Sequence, residues 1–223
     1  MCPLNIKEKN MSNKTKSVVI PRPSVQEVEK YQKEWESLKD YKAREEALDK
    51  LFGEYAKENK DLSDILIKVS ALNDFYSTNI YSVYDVAAHI ARVKDLDKRL
   101  QDGDISLVDE IKEVDMKGKL WKFYSFSSKY CSHHNPTDFP IYDAYVGKAL
   151  MYFKDCKDIN GKSFAKFSAK EIKEDYEVFY DVITAFRRAY GLEAYTLKQI
   201  DRYLWLLGKR FFPKKYNKSK HNQ

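Results

Sequence analysis

Apolar residues in this chain recur at the spacing of amphipathic helices, and short polar turns separate the repeats. Glycine is scarce, with 7 residues in 223, and the long stretches between turn signals are rich in Lys, Glu, Leu and Ala. A sheet protein with many tight turns needs more glycine and proline than this. The pattern therefore predicts an all-α protein, a compact domain of about nine or ten helices.

The beginning of the domain is predicted to form two amphipathic helices. Ser24 has the residue type of an N-cap, and Glu27 follows at the spacing of a capping box. From 25 to about 58, thinly spaced apolar residues stand among charges, with a break near Asp40. Each helix would lay a narrow apolar stripe on the rest of the domain. A coiled-coil arm is the alternative for this segment.

The middle of the chain is predicted to contain several shorter, more buried helices. The first begins at 61–64 and ends in the polar turn 77–79, and Ser82 is expected to cap the next, 83–93. Short helices follow near Leu96 and Ser106. Each of these segments carries an apolar face that the core would cover.

An aromatic helix is predicted from Gly118 to about His134. The next loop is bounded by Pro136 and Pro140, because a residue before proline resists the helical conformation. A helix over about 141–153 follows this loop.

Two helices are predicted to complete the fold. The first runs from 168 to 190 and stops at Gly191; the second, 197–207, is capped by Thr196 and ended by Gly208.

These elements suggest one helical domain, 24–208, between flexible basic tails at 1–23 and 209–223. Within it, 24–60 would form peripheral helices and 61–208 the core.

The net charge of +6 is distributed unevenly. Residues 1–24 contribute +4 and residues 208–223 contribute +6, which leaves −4 for residues 25–207. One strip inside the predicted fold, 116–137, contains four lysines and no acid. A basic strip of this kind is the local feature that would favour a nucleic-acid partner.

Cysteine and histidine usage argues against a metal site or a disulfide framework. Cys2, Cys131 and Cys156 lack metal-ligand spacing, and reduced thiols in a cytoplasmic protein are the expectation. The adjacent His133 and His134 would point about 100° apart on a helix, so they would not share a metal and are expected to cap carbonyls. No metal and no cofactor are predicted. No apolar run approaches the roughly 20 residues that a membrane span needs, so no membrane partner is predicted.

Asp143 is the residue best placed for a catalytic role. It falls in the first turn of a predicted helix, where the helix dipole and free backbone amides stabilise an anion. The same passage brings lysines and an aromatic helix towards it. An anchored carboxylate can stabilise a developing cation or activate water. The structural alternative is a helix-capping aspartate with no further role.

The order of features over about 62–155 resembles the helix-hairpin-helix DNA glycosylase superfamily. In that superfamily an early helix ends in a polar turn facing the lesion, as Leu72-Asn-Asp-Phe-Tyr-Ser-Thr-Asn79 does here. A hairpin, a helix and a proline-rich loop then lead to a catalytic Asp that opens another helix, similar to Pro140-Ile-Tyr-Asp143. The chain departs from the family in having only Gly118 in the hairpin, and in Tyr142 standing between the proline and the Asp.

The resemblance implies that Asp143 is the essential carboxylate and that Lys122 is the imine-forming nucleophile of members with lyase activity. Those members hold this lysine about twenty residues before the Asp, and Lys129 is the second lysine near that spacing. The alternative for either lysine is a surface or phosphate-contacting role. The substrate-binding candidates are Asn73, Tyr76, Ser77 and Asn79 in the polar turn, with Lys129 and Tyr142 in the central passage. Tyr76 and Tyr142 are candidates for base stacking because they border predicted turns.

The first functional hypothesis is a DNA glycosylase-like enzyme that excises a modified or damaged base from DNA. The second is a non-catalytic helical module that binds DNA or a protein through the same cleft. A third is an interaction protein that uses the charged helices at 25–58. Base release would favour the first hypothesis. Salt-dependent DNA binding without base release would favour the second, and no DNA retention would favour the third.

Overall fold

The computed structural model describes residues 6–8, 16–18, 20–156 and 162–213. Within these ranges the protein is all-α, as the hydrophobic pattern predicts. The helices are α1 (Val25–Ser37), α2 (Lys39–Lys50), α3 (Leu62–Tyr76), α4 (Val83–Ile90), α5 (Leu96–Gln101), α6 (Ser106–Lys112), α7 (Tyr124–His134), α8 (Ala144–Lys154), α9 (Glu171–Glu174), α10 (Tyr176–Ala189) and α11 (Leu197–Phe211). A π-helical turn, Leu51–Tyr55, continues α2.

Two antiparallel strand pairs accompany the helices in the described ranges. The first joins β1 (Ile6–Glu8) to β2 (Lys16–Val18). The second is a hairpin of β3 (Glu113–Met116) and β4 (Lys119–Lys122).

The β3–β4 hairpin corrects the prediction that a helix begins directly after Gly118. Lys117 and Gly118 both have positive φ, +57° and +77°, as a two-residue type I′ turn requires. The amide of Gly118 also donates a 2.8 Å hydrogen bond to Asp115 Oδ1. The turn reverses the chain, so α7 does not begin until Tyr124.

Several helix boundaries follow the local signals that predicted them. Ser24 caps α1 by accepting a hydrogen bond from the amide of Glu27 at 3.3 Å. Thr196 and Gln199 form a complete capping box at α11. The break between α1 and α2 lies at Leu38, two residues before the predicted position.

The prediction of one helix over 168–190 is wrong, because Asp175 divides it. Asp175 is extended between α9 and α10, and its Oδ1 accepts a 3.0 Å hydrogen bond from the amide of Val178. An N-cap inside a predicted helix starts a new one.

Gly208 does not end the last helix, which continues to Phe211. Its Cα packs against the backbone of α8: a Cβ at this position would lie 2.8 Å from the carbonyl carbon of Tyr145 and closer still to the oxygen. Glycine therefore permits close helix approach here and does not act as a C-cap. The first residues predicted for the C-terminal tail belong to α11.

The core is centred on α7, whose residues from Tyr124 to Ser132 are nearly all buried. Helix α11 packs against α8 and α1, and α3 packs against α4 and α7. Ile20 is also buried, so the end of the segment predicted as an N-terminal tail packs on the core. Most of that segment, and the C-terminal tail beyond Pro213, lie outside the described residues.

The cysteines differ from one another. Cys131 is free and buried on α7, in agreement with the expected thiol. Cys156 is disulfide-bonded, so the expectation of a reduced thiol is wrong for this residue. Cys2 lies outside the described residues. In the part of the chain that is described, no helix is long and apolar enough to cross a membrane.

Candidate functional site

Six helices, α1, α2, α3, α7, α8 and α11, surround a cavity of about 310 Å³. This volume lies at the lower end of the range of pockets that bind small molecules. Its walls combine aromatic rings with charged side chains. The lining residues are Trp35, Tyr41, Arg44, Glu45, Phe75, Tyr76, Ser77, Lys129, Ile141, Asp143, Tyr145, Lys198, Asp201, Arg202, Trp205 and Lys209.

Lys129 brings a buried amine from the central helix α7 to the cavity. Its Nζ donates hydrogen bonds to the carbonyl of Ser125 at 3.1 Å and to Ser125 Oγ at 2.5 Å. No carboxylate of the described residues lies within ion-pair distance of it. Burial lowers the pKa of Lys129, and the negative charges of Asp143 and Asp201 oppose part of this shift. The environment therefore favours the neutral amine more than water does.

Tyr76 covers Lys129 with its ring and extends the polar network to α7. The Lys129 Nζ lies 5.1 Å from the centre of the Tyr76 ring, a cation–π distance. The Tyr76 hydroxyl is hydrogen-bonded to His133 Nε2 at 3.0 Å. Tyr76 is therefore fixed at both its ring and its hydroxyl.

The histidine pair does not cap carbonyls as expected. The ring centres of His133 and His134 lie 5.3 and 4.9 Å from that of Phe52, inside the core. His134 Nε2 also lies 3.4 Å from Nζ of the buried Lys68. Burial lowers the pKa of both histidines, so they are neutral core residues near pH 7.

Asp143 occupies the N-cap of α8, at the end of the proline-bounded loop. Its Oδ1 accepts a 2.7 Å hydrogen bond from the amide of Tyr145, which fixes the carboxylate at the cavity wall. The loop is tied to α7, because Ser128 Oγ accepts from the amide of Tyr142 at 3.1 Å. The carboxylate therefore caps a helix and lines the cavity with Lys129.

Asp201 supplies a second carboxyl group to the cavity, from α11. It is only 6% exposed, and its Oδ2 accepts a 3.3 Å hydrogen bond from the amide of Ile141. Burial raises the pKa of Asp201 to about 7, although Ile141, Arg202, Lys198 and Lys129 act in the opposite direction. This residue can therefore hold or release a proton near neutral pH.

Glu45 of α2 pairs with two cations of α11 beside the same cavity. Lys198 Nζ lies 3.0 Å from Glu45 Oε1, and Arg202 binds the same oxygen. Burial would raise the pKa of Glu45, but the hydrogen bonds and charges of these two cations outweigh it, so the net shift is downwards. Their positive charges are thereby compensated within the protein.

The aromatic wall is built mainly around Trp205. Its ring centre lies 6.0 Å from that of Trp35, 5.3 Å from Tyr41 and 6.5 Å from Tyr145. Lys209 stands over this wall, 4.7 Å from the ring centres of both Tyr41 and Trp205, and donates to the Tyr41 hydroxyl at 2.6 Å. It forms no ion pair with the described residues, so its charge is available to a ligand at the cavity mouth.

Lys122 lies away from the cavity, at the end of β4. Its Nζ pairs with Glu113 Oε1 across the hairpin at 2.8 Å, and its side chain is 61% exposed. The hydrogen bond and charge of Glu113 raise the pKa of Lys122. This is the reverse of what an amine nucleophile needs. The structure therefore brings Lys129, and not Lys122, together with Asp143.

The other sequence-predicted residues are divided between the cavity and its surroundings. Tyr76 and Ser77 line the cavity, whereas Asn73 and Asn79 line only a second surface depression, which Ser77 also borders. The Asn73 side chain braces that turn: its Oδ1 accepts from the amide of Ile80 at 2.9 Å, and its Nδ2 donates to the carbonyl of the same residue.

The Tyr142 side chain does not line the cavity. Its ring packs in the core, 4.6 Å from the ring centre of Tyr124 and 5.2 Å from that of Phe179. Only its backbone joins the site, through Ser125 and Ser128.

Sequence analysis did not identify Glu45, Lys198, Asp201, Arg202 or Trp205. For Asp201 a signal was present, since it is an acidic residue on the apolar stripe of a strongly amphipathic helix, between Leu197 and Leu204. A carboxylate in that position must be buried or functional. Glu45, Lys198 and Arg202 are ordinary surface types in sequence, and they, like Trp205, gain their position at the cavity from tertiary packing.

No group of three or more potential metal ligands occurs in the described parts of the chain.

Comparison with known proteins places the chain in a family. A protein-family model described as HI_0787_N, an N-terminal domain, matches residues 27–138. A protein of Haemophilus influenzae (strain ATCC 51907 / DSM 11121 / KW20 / Rd), described as uncharacterized, is 46% identical over 165 residues, which are 74% of this chain and 76% of the relative. No solved structure matches the chain.

The matched range includes Lys129 but ends before Asp143 and Asp201, so the cavity combines residues from inside and outside it. The chain belongs to the HI_0787_N family.

Proposed function

We propose that the protein is a DNA glycosylase with lyase activity, which takes a modified base into the cavity beside Lys129 and Asp143. The observation that carries this proposal is the buried Lys129 amine, which shares a cavity with a helix-anchored carboxylate and has no ion-pair partner in the described residues. A depressed lysine pKa next to a fixed anion is what imine chemistry requires.

The aromatic wall suits a flat ligand. Enzymes that act on a base take it out of the helix stack and hold it between aromatic or apolar side chains and polar groups. Trp35, Tyr145 and Trp205 provide ring surface here, and Asp201 provides a buried polar group at the edge. The uncompensated charge of Lys209 at the mouth fits a DNA phosphate.

Each residue has a defined part in the proposed reaction. The neutral Lys129 amine attacks C1′ of the sugar, and the electron pair of the N-glycosidic bond leaves with the base, which takes up a proton. The bound amine then loses a proton, its electron pair forms the C1′=N bond of the imine, and the C1′–O4′ bond breaks, with O4′ taking up a proton as the sugar ring opens. Asp143 stabilises the positive charge that develops on the sugar. Lys129 thus replaces Lys122 as the nucleophile that the resemblance implied.

A DNA substrate would place the site of action inside the cell, and we keep the cytoplasmic location as part of this proposal. The protein-binding role of residues 25–58 remains a separate hypothesis. In the structure, however, α1 and α2 contribute Trp35 and Glu45 to the cavity.

Borohydride trapping on duplex DNA with a single abasic site tests the nucleophile. Wild type and Lys122→Met are expected to form a covalent adduct, whereas Lys129→Met is not. Each substitution replaces one lysine with methionine, Lys122 on the hairpin surface and Lys129 in the cavity. Lys122→Met is therefore a matched control for Lys129→Met. Adduct formation is expected to increase with pH as Lys129 loses its proton, levelling off below the pKa of an ordinary lysine. An adduct that survives Lys129→Met would refute the assignment.

Asp143→Asn tests the carboxylate without disturbing the helix. Asparagine is an N-cap equivalent to aspartate, so its carbonyl oxygen can still accept from the amide of Tyr145. Base release from duplexes carrying oxidised, deaminated or alkylated bases should fall by about 100-fold or more, in the range found when a transition-state stabiliser is removed. DNA binding without base release by any variant would instead support the non-catalytic binding module, in which Asp143 only caps α8.

A further inference from the structure

An exposed aromatic and basic surface lies outside the cavity lining, on the β3–β4 hairpin and the α3–α4 turn, and the reaction proposed above does not use it. It consists of Tyr81 in the α3–α4 turn and Lys119, Leu120 and Trp121 on β4; we call these four residues the aromatic ledge. Tyr81 is 84% exposed and Leu120 is 56% exposed, which is unusual for side chains of this size.

The ledge is ordered by contacts between its own members. The Tyr81 and Trp121 rings meet edge to face, with centres 6.3 Å apart, and Trp121 stacks on the buried Phe123 at 6.4 Å and 5°. Lys119 Nζ lies 4.5 Å from the centre of the Trp121 ring. Tyr81 is 84% exposed despite its contact with Trp121, so most of its ring is open to a flat ligand.

Charge on the ledge favours an anionic partner. Lys117 and Lys119 form no ion pair with any described residue. The nearby acids are already engaged: Glu113 pairs with Lys122, and Asp115 accepts from the amide of the hairpin turn. Unpaired lysines next to exposed rings are the combination by which proteins bind single-stranded nucleic acid. An apolar protein partner would gain nothing from the two free charges.

The ledge and the cavity are joined by one short, braced turn. Ser77 lines the cavity and Tyr81 follows four residues later, so their Cα atoms are at most about 14 Å apart. The hydrogen bonds of Asn73 to Ile80 keep the turn in a fixed shape.

We infer that the aromatic ledge binds an unpaired stretch of DNA, with a base stacked on Tyr81 and a phosphate on Lys119. It would hold the strand that flanks the base in the cavity. The choice of DNA as the polymer rests on the proposed function; the stacking of unpaired bases rests on the geometry of the ledge alone.

Fluorescence anisotropy with a labelled, unmodified (dT)12 single strand tests this inference on the full chain at low salt. Tyr81→Ala is expected to weaken binding about 5- to 100-fold, the range found for the loss of one base–aromatic stack, and Tyr81→Phe to retain it. Lys119→Ala should weaken binding and reduce the slope of log K against log salt by about 0.7. Tyr55→Ala removes another tyrosine, 74% exposed and outside the ledge, and should bind like wild type.

Several outcomes would overturn the inference. They are wild-type binding by both Tyr81→Ala and Lys119→Ala, equal loss in Tyr55→Ala, and preference for an unmodified 12-bp duplex over (dT)12. A change in oligomeric state on Tyr81→Ala with unchanged DNA binding would instead identify the ledge as a protein contact.

The unmodified probe separates this test from that of the proposed function, because (dT)12 contains neither a modified base nor an abasic site. Ledge binding without base release would refute the glycosylase and keep the ledge. Base release together with unchanged (dT)12 binding by the ledge variants would support the glycosylase and refute the ledge.

Discussion

Replacing Asp201 with asparagine removes a buried acid while keeping the size of the side chain. An amide oxygen remains available to accept the hydrogen bond from the amide of Ile141. Burial raises the pKa of Asp201 to about 7, from an ordinary 3.8. Over the interval between these values, the folded protein keeps a proton on Asp201 that the unfolded chain has lost.

The sign of the effect on stability follows from this difference in proton binding. Because the native state binds the additional proton, the stability contributed by Asp201 is present below about pH 4 and is lost as the pH rises through about 7. A pKa shift of this size corresponds to a loss of about 2.5 kcal/mol between pH 5 and pH 8. The asparagine variant has no such group to titrate.

Urea unfolding followed by far-UV circular dichroism measures the effect, for both proteins at pH 5 and pH 8 and constant ionic strength. The measured quantity is the free energy of unfolding of Asp201→Asn minus that of wild type. This difference should be about 2.5 kcal/mol larger at pH 8 than at pH 5. Comparing two proteins at each pH cancels the titration of His133, His134 and the other groups that they share.

Asp181→Asn, on the exposed surface of α10, provides the matched control. Substitutions at exposed positions usually change the free energy of unfolding by about 0.5 kcal/mol or less, so Asp181→Asn should stay close to wild type at both pH values. A difference for Asp201→Asn that stays constant within about 0.5 kcal/mol would refute the reasoning. Such a constant difference would show that Asp201 is already ionised in the folded protein at pH 5.

Gly208→Ala and its control Gly53→Ala test the packing of α11, and Glu45→Gln tests an ion-pair cluster of the cavity wall. Gly208→Ala should destabilise the protein by about 2 kcal/mol or more, because the new Cβ overlaps the carbonyl of Tyr145 and forces α11 away from α8. Gly53→Ala, where a Cβ meets nothing within 4 Å, should be neutral or stabilising by up to about 1 kcal/mol in urea unfolding; equal losses would contradict this explanation. Glu45→Gln should lower the free energy of unfolding by about 1–3 kcal/mol, because it removes the carboxylate that pairs with Arg202 and leaves Lys198 with only Asp49, 3.8 Å away. An unchanged urea midpoint would show that solvent already screens this pair.

Local signals in the sequence predicted most of the helical architecture. The caps at Ser24 and Thr196 and the loop between Pro136 and Pro140 depend on neighbouring residues, so they can be recognised without tertiary information. Asp143 was identified for the same reason: an aspartate after a proline-bounded loop is a strong N-cap candidate, and it caps α8.

The choice between the two lysines required the fold. Spacing along the chain favoured Lys122, but the type I′ turn at Lys117 and Gly118 reverses the chain and places Lys122 on a surface strand. Lys129 then follows on the buried helix, where its amine meets α3 and the loop before α8. A single turn therefore changed which amine reaches the carboxylate.

The remaining cavity residues could not be inferred from local signals, because their partners are distant in sequence. Glu45 meets Arg202 across 157 residues, and Gln32 donates to the carbonyl of Gln199 across 167. Asp201 is different, because its position on the apolar stripe of α11 is a local signal of burial; only its neighbours in the cavity depend on the other helices.

The contact of α1 with α11 has a consequence for the order in which the molecule becomes functional. It joins segments near the two ends of the chain, and contacts of long sequence separation form late because a large loop must close first. During synthesis, α1 to α7 emerge with Lys129 already in their sequence but without Asp201 or Trp205 opposite it. The ribosome must release α11 before the cavity can exist, so a nascent or C-terminally shortened chain would carry the proposed nucleophile without its enclosing wall.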